Sequence, residues 1–131
     1  MSAVHTAKSA VRRVIKRAAD LSERIELVEV VQTRGPRLEF NGELIAEKRF
    51  DVRTRDDMEL EFEVWRTTAG ALVAVKTSLH ESGFEGVSAY VVPYRDNEQE
   101  MQDEVMGFFD WSSEARDMMK RAKWTFRRWV D

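Results

Sequence analysis

The chain has 131 residues, the length of one domain, with 24 acidic and 21 basic side chains, a formal net charge of -3 and no cysteine. The missing cysteine excludes a disulfide framework, thiolate metal sites and a cysteine nucleophile, and it fits a reducing cytoplasm, the expected location. No apolar run reaches the roughly 20 residues of a membrane span, and the N-terminal stretch lacks the continuous apolar core of a signal peptide. Charge is unevenly spread: residues 1–25 hold six Lys/Arg and two Asp/Glu, residues 26–109 hold nine and eighteen, and residues 110–131 hold six and four. Two basic ends flank an acidic middle.

In chain order, residues 6–24 read as an amphipathic helix, with Ala7, Val11, Val14, Ile15, Ala18 and Leu21 on one face at steps of three and four and Thr6 as N-cap. Arg12, Arg13, Lys16 and Arg17 fall on the other face, as a phosphate-contacting patch or an ordinary solvated surface. Residues 26–33 form a valine-rich strand broken at Arg34-Gly35-Pro36. Residues 37–40 start a second strand, Asn41-Gly42 signals a tight hairpin, and residues 43–53 run back with Leu44, Ala46, Phe50 and Val52 on one face and Lys48 as the exception.

Residues 58–79 are the clearest stretch. Met58, Leu60, Phe62 and Val64 alternate with Glu59, Glu61, Glu63 and Trp65, the period of a strand with one buried face. A four-residue loop, Thr67 to Gly70, would place Val64 opposite Val73, Phe62 opposite Val75 and Glu61 opposite Lys76. A last strand, closed by Pro93, follows the loop after Leu79. Short links imply antiparallel pairing. The expected fold is therefore α+β: an antiparallel meander of five to six strands over 26–93, flanked by a basic N-terminal helix (1–25) and one or two helices in the C-terminal segment (94–131), all in a single domain.

Residues 94–104 are polar and acidic, a linker or the solvated start of a helix reaching Phe109. The last helix is expected over 112–130, capped by Ser112 or Asp110, with Ala115, Met118, Met119, Ala122, Phe126, Trp129 and Val130 on its apolar face. Trp124 falls opposite, near Lys120, Arg121, Arg127 and Arg128. A tryptophan among cations could stack on a base or anchor a protein contact, or it could pack on another element.

Chemistry-bearing motifs are sparse. His80 lies beside Glu81 and Ser82, but a triad must converge in space with an oxyanion hole, which adjacency in a loop does not supply. Glu59, Glu61 and Glu63 repeat about 6.8 Å apart along one strand face, a spacing that could hold a hard cation but more often marks a solvated sheet face. No phosphate-binding glycine loop and no zinc spacing is present. No catalytic residue, metal or cofactor is expected.

Phe40, Gly42, Leu44 and Ala46 form an F-x-G-x-L-x-A strand turn, and Trp65, Arg66, Thr67 and Gly70 an aromatic-R-T-x-x-G hairpin. The blocks 35–48 and 62–75 resemble the β-rich part of the EXLDI family of small bacterial proteins, and the similarity is expected to extend over about half the chain. The acidic C-terminal signature of that family is missing. The resemblance implies a sheet and transfers no site.

The expected function is non-enzymatic: a small cytoplasmic interaction protein, bacterial or from a phage, that binds another macromolecule through a helix face or an acidic sheet face (Glu59, Glu61 and Glu63), with the acidic 26–109 segment able to mimic nucleic acid and inhibit a nucleic-acid-binding partner. The alternatives are a nucleic-acid-binding protein using Arg12, Arg13, Lys16 and Arg17 with Lys120, Trp124, Arg127 and Arg128, and a small-ligand-binding domain. A protein partner is the first expectation, and a homodimer through a strand edge or the last helix is open.

Overall fold

The structure, a computed structural model, describes residues 11–15 and 24–124, with Arg53 excepted. Its strands are β1 (Val11–Ile15), β2 (Glu26–Val30), β3 (Leu38–Val52), β4 (Arg55–Thr67), β5 (Leu72–His80) and β6 (Glu85–Val92), followed by helices α1 (Glu98–Phe108) and α2 (Ser113–Arg121). Every strand pairs antiparallel with its sequence neighbour. Strands β2–β6 form the expected meander, and β1 adds along β2. The helix expected over 6–24 is not what its described residues form. Val11–Ile15, with three β-branched residues in five, takes backbone partners from β2 instead. The remainder of that stretch, with Lys16 and Arg17, lies outside the described residues.

Asn41-Gly42 makes no turn. Strand β3 runs through it, because Gly42 sits where backbones crowd: a Cβ there would lie 2.7 Å from the Arg66 carbonyl oxygen. The glycine serves close approach rather than positive φ. The chain reverses between β3 and β4, with Val52 opposite Arg55.

The β4–β5 hairpin forms as expected, one residue out of the expected register. Thr67 N–H bonds the Ala71 carbonyl, Gly70 takes φ +92°, and the loop has three residues rather than four. Val64 therefore meets Ala74, Phe62 meets Lys76, Glu63 meets Val75 and Glu61 meets Thr77. A slip of one exchanges the faces of β5. Leu72, Ala74 and Lys76 join Phe62 and Val64 on one face, while Val73, Val75 and Thr77 join Trp65 and the three glutamates on the other.

Both faces are covered. On the outer face α1 and α2 bury Met101, Val105, Met106, Phe109, Ala115, Met118 and Met119 against Phe62, Val64, Leu72, Ala74 and Val92. A bulge at Ile45 turns Ala46 and Phe50 to this side. It also explains Lys48, which reaches Asp117 of α2 at 2.8 Å. The other face is inner, because the sheet curls into a half-barrel. Thr33 N–H donates to the Val87 carbonyl (2.9 Å), Val87 N–H to Thr33 Oγ1 (2.7 Å) and Ala89 N–H to Gln32 Oε1 (2.9 Å), tying the end of β2 to β6. Val28, Val30, Trp65, Val73, Val75 and Val87 fill the curl, with Phe40 edge-on to Trp65.

The two helices end alike. Ala122 caps α2, Lys123 takes φ +66°, Lys123 N–H bonds the Lys120 carbonyl and Trp124 N–H the Met119 carbonyl. At α1, Phe109 is the cap, Asp110 takes φ +58°, and Asp110 and Trp111 N–H bond Gly107 and Met106. Each is a Schellman closure with tryptophan two residues past the cap, where an apolar contact with the methionine three residues before the cap accompanies the motif. Their N-caps are Asn97 and Ser112, whose side chains accept from Glu100 and Ala115 N–H.

Candidate functional site

The Schellman turn corrects the expected aromatic platform. The helix ends at Arg121, and the chain reverses at Lys123, so Trp124 swings into the outer core and is only 9% exposed. Lys120 remains exposed on α2, while Arg127 and Arg128 lie outside the described residues. Arg12 and Arg13 sit on β1 at the register positions of Glu29 and Val28. Trp124 is therefore buried in the outer core rather than presented as a surface platform among the proposed cations.

The acidic row is corrected in the same way. It is not a solvated face: Glu63 is 3% exposed on the inner side, and its Oε1 accepts the Trp65 Nε1–H at 2.9 Å. Glu61 pairs with Arg49 across β3 at 3.4 Å and does not face Lys76, which lies over the Phe108 ring. Carboxylate oxygens of Glu47, Glu61 and Glu63 come within 4.8 Å of one another. Such a trio has the donors for a hard cation, but the indole and the Arg49 guanidinium already engage two of its members.

The surface that does stand out was not singled out by sequence reasoning. The exposed large hydrophobic side chains among the described residues are Phe84, Tyr90, Val91 and Tyr94, all within eleven residues on β6 and its flanks. Strand β6 is an edge strand, and among the described residues only its first half is covered, by Gln32 and Thr33. Because the N–H groups of Val87 and Ala89 point outward, the antiparallel alternation turns Val91 N–H and C=O outward too. Tyr90 stacks on Phe108 at 5.8 Å and donates its hydroxyl to Glu104 (3.0 Å), and Tyr94 packs on Gly70 and donates to Asp96 (3.1 Å). Both rings are held in place rather than swinging free.

Helix α1 packs against β5 and β6 and borders this strip. Residues 84–109 carry six carboxylates and one basic side chain, Arg95. Arg95 ion-pairs with Glu104 and, at 3.0 Å, with Glu100. Hydrogen bonds from Arg95 and then Tyr90 hold the Glu104 carboxyl below the usual range, and the bond to Glu104 raises the Tyr90 phenol. Arg66 grips Glu98 through two bonds, 3.1 and 2.5 Å, and lowers its carboxyl. Asp96 and Asp103 are exposed and ion-paired with no described residue, so the strip has an acidic border. The sequence signal for this surface was the run Val91-Val92 with Tyr90 and Tyr94 beside an acidic segment. It was unreadable without knowing that β6 is the edge.

No helix among the described residues is long and apolar enough to cross a membrane. Comparison with known proteins finds no matching family, no similar curated sequence and no similar solved structure.

Proposed function

We propose that this is a non-enzymatic interaction domain that docks an extended, apolar and basic segment of a protein partner along β6. The observation that carries the reading is the confinement of exposed large apolar side chains to Phe84–Tyr94, on a half-open strand edge beside an acidic helix. A strand edge offers main-chain hydrogen bonds, alternate side-chain positions offer specificity, and the carboxylates of α1 favour lysine and arginine on the incoming chain. A basic partner agrees with the reading of the acidic 26–109 segment as an inhibitor of a nucleic-acid-binding protein, acting here through α1 and β6 within that segment. A cytoplasmic location and kinship with the EXLDI family belong to the same proposal.

Selection of a displayed random-peptide library against the protein tests it. The expected result is enrichment of segments alternating apolar and Lys/Arg residues, with binding lost in Val91→Lys and Tyr94→Ala and retained in Lys120→Glu. Selected peptides that ignore both β6 substitutions, or no enrichment at all, would overturn it. A dimer that disappears in Val91→Lys would assign the edge to a second copy instead, and salt-sensitive nucleic-acid binding lost in Lys120→Glu would move the reading to the alternative interface.

A further inference from the structure

A separate feature lies at the other end of β6, where the sheet closes. A notch of about 300 Å³ is lined by Thr33 and Arg34 from the β2–β3 connection, Lys76 and Ser78 from β5, and Gly86, Val87 and Ser88 from β6. Lys76, Ser78, Gly86 and Ser88 share the outer face by register. Arg34 arrives because Thr33 is bonded to Val87, so the closure that completes the inner core also builds the notch.

Its chemistry is unlike the rest of the surface. Two cations and three hydroxyls line it and no carboxylate does, in a segment of the chain, residues 26–109, with twice as many acids as bases. Lys76 spends one bond on the Phe108 carbonyl (3.3 Å) and lies 4.9 Å over that ring. Among the described residues neither Lys76 nor Arg34 is ion-paired with a carboxylate, whereas Arg37, in the same connection, pairs with Glu29 at 3.2 Å. Glycine at position 86 keeps the floor open: a Cβ there would lie 2.7 Å from Ser78 Oγ. A half-buried lysine and an exposed arginine, neither ion-paired with a carboxylate among the described residues and both beside hydroxyl groups, favour an oxyanion that takes charge-assisted hydrogen bonds.

We infer that this notch binds a small oxyanion, a phosphate or carboxylate group, with Arg34 and Lys76 as the charged contacts and the Thr33 and Ser88 hydroxyls as donors, while the Ser78 hydroxyl donates to the Gly86 carbonyl at 3.4 Å. The inference does not depend on partner docking at β6.

Titration of the protein with inorganic phosphate, and separately with succinate, followed by backbone amide and arginine side-chain NMR, tests it. The expected result is a saturable response centred on residues 33–34, 76–78 and 86–88, with Kd at or below about 1 mM. Arg34→Ala and Lys76→Met each weaken it about tenfold or more, while Arg37→Ala, which removes the same charge from the neighbouring position, leaves it unchanged. The Arg34 side chain is exposed in a loop, so its variant tests the site without testing the fold. The tighter of the two probes identifies the ligand's group. A non-saturating response to both, or one equally weakened by Arg37→Ala, would overturn the site.

Discussion

The two faces of the sheet solve the same burial problem with different materials. The outer face is covered by helices and filled with long, soft side chains, four methionines among them, around the Phe62–Phe109 ring stack at 4.3 Å. Among the described residues the inner face has only the sheet's own curl to cover it and is filled with short, stiff valines around one tryptophan. A covering helix can shift to fit what it meets, so its core tolerates flexible residues. A curl fixed by hydrogen bonds leaves a set volume, and the inner face admits a charged group, Glu63, where the Trp65 indole donates to it.

Substitutions that break each core separately would sharpen the contrast. Phe109→Ala, at a side chain 1% exposed, should cost about 3–5 kcal/mol in urea unfolding, and Phe109→Met much less, because the methionine-rich outer core can refill. Trp65→Phe removes the Nε1–H together with the five-membered ring, so Glu63 loses a donor in a buried site and a small void opens beside it. It should cost about 2–5 kcal/mol, of which the donor's share, about 1–3 kcal/mol, is recovered in the double variant with Glu63→Leu. Equal recovery from Glu63→Gln, which keeps the polar group, would contradict that account.

Smaller effects lie at the helix ends that hold the outer cover. Lys123→Gly removes the strain of a side chain at φ +66° and should stabilise by about 0.5–1 kcal/mol, with a smaller gain for Asp110→Gly because aspartate tolerates this region better. The Arg66–Glu98 pair fastens α1 to β4 at the surface and is worth about 0.5 kcal/mol after solvent screening. The folded carboxyl is held below its ordinary range by Arg66, so this contribution is complete above the unfolded value near about 4 and lost as pH falls through it into the folded range. Glu98→Gln should flatten the acid limb of the stability curve there, lowering neutral-pH stability by about 0.5 kcal/mol and leaving stability below the folded range unchanged.

Much of the local structure was legible. The β4–β5 hairpin follows from alternation and Gly70, the end of β6 from Pro93, and the start of α2 from Ser112. The errors share one cause. Asn41-Gly42 has the composition of a turn, yet its position beside Arg66 makes it a strand crossing. Trp124 has the spacing of a surface residue on a continuing helix, yet the helix ends at Arg121, three residues before it. Both readings extrapolated a local rule past a point where a neighbour not adjacent in sequence decides. The repeated Met-x-x-x-x-Trp spacing at Met106–Trp111 and Met119–Trp124 was the available sign that two helices end in the same closure.

The sequence by itself determined that β4 has two unlike faces, that the links are short enough for a meander, and that charge is segregated along the chain, because periodicity, loop length and composition are local properties. Which face meets helices, which glutamate is buried and which strand is left as an edge were decided only in the tertiary structure. A one-residue difference in the Thr67–Ala71 loop exchanges the faces of β5, and the bonds of Gln32 and Thr33 to β6 convert an open sheet into a curled one. Those bonds join residues more than fifty positions apart, so their consequences, the inner core, the half-open edge and the cationic notch, are not written in any single stretch of the chain.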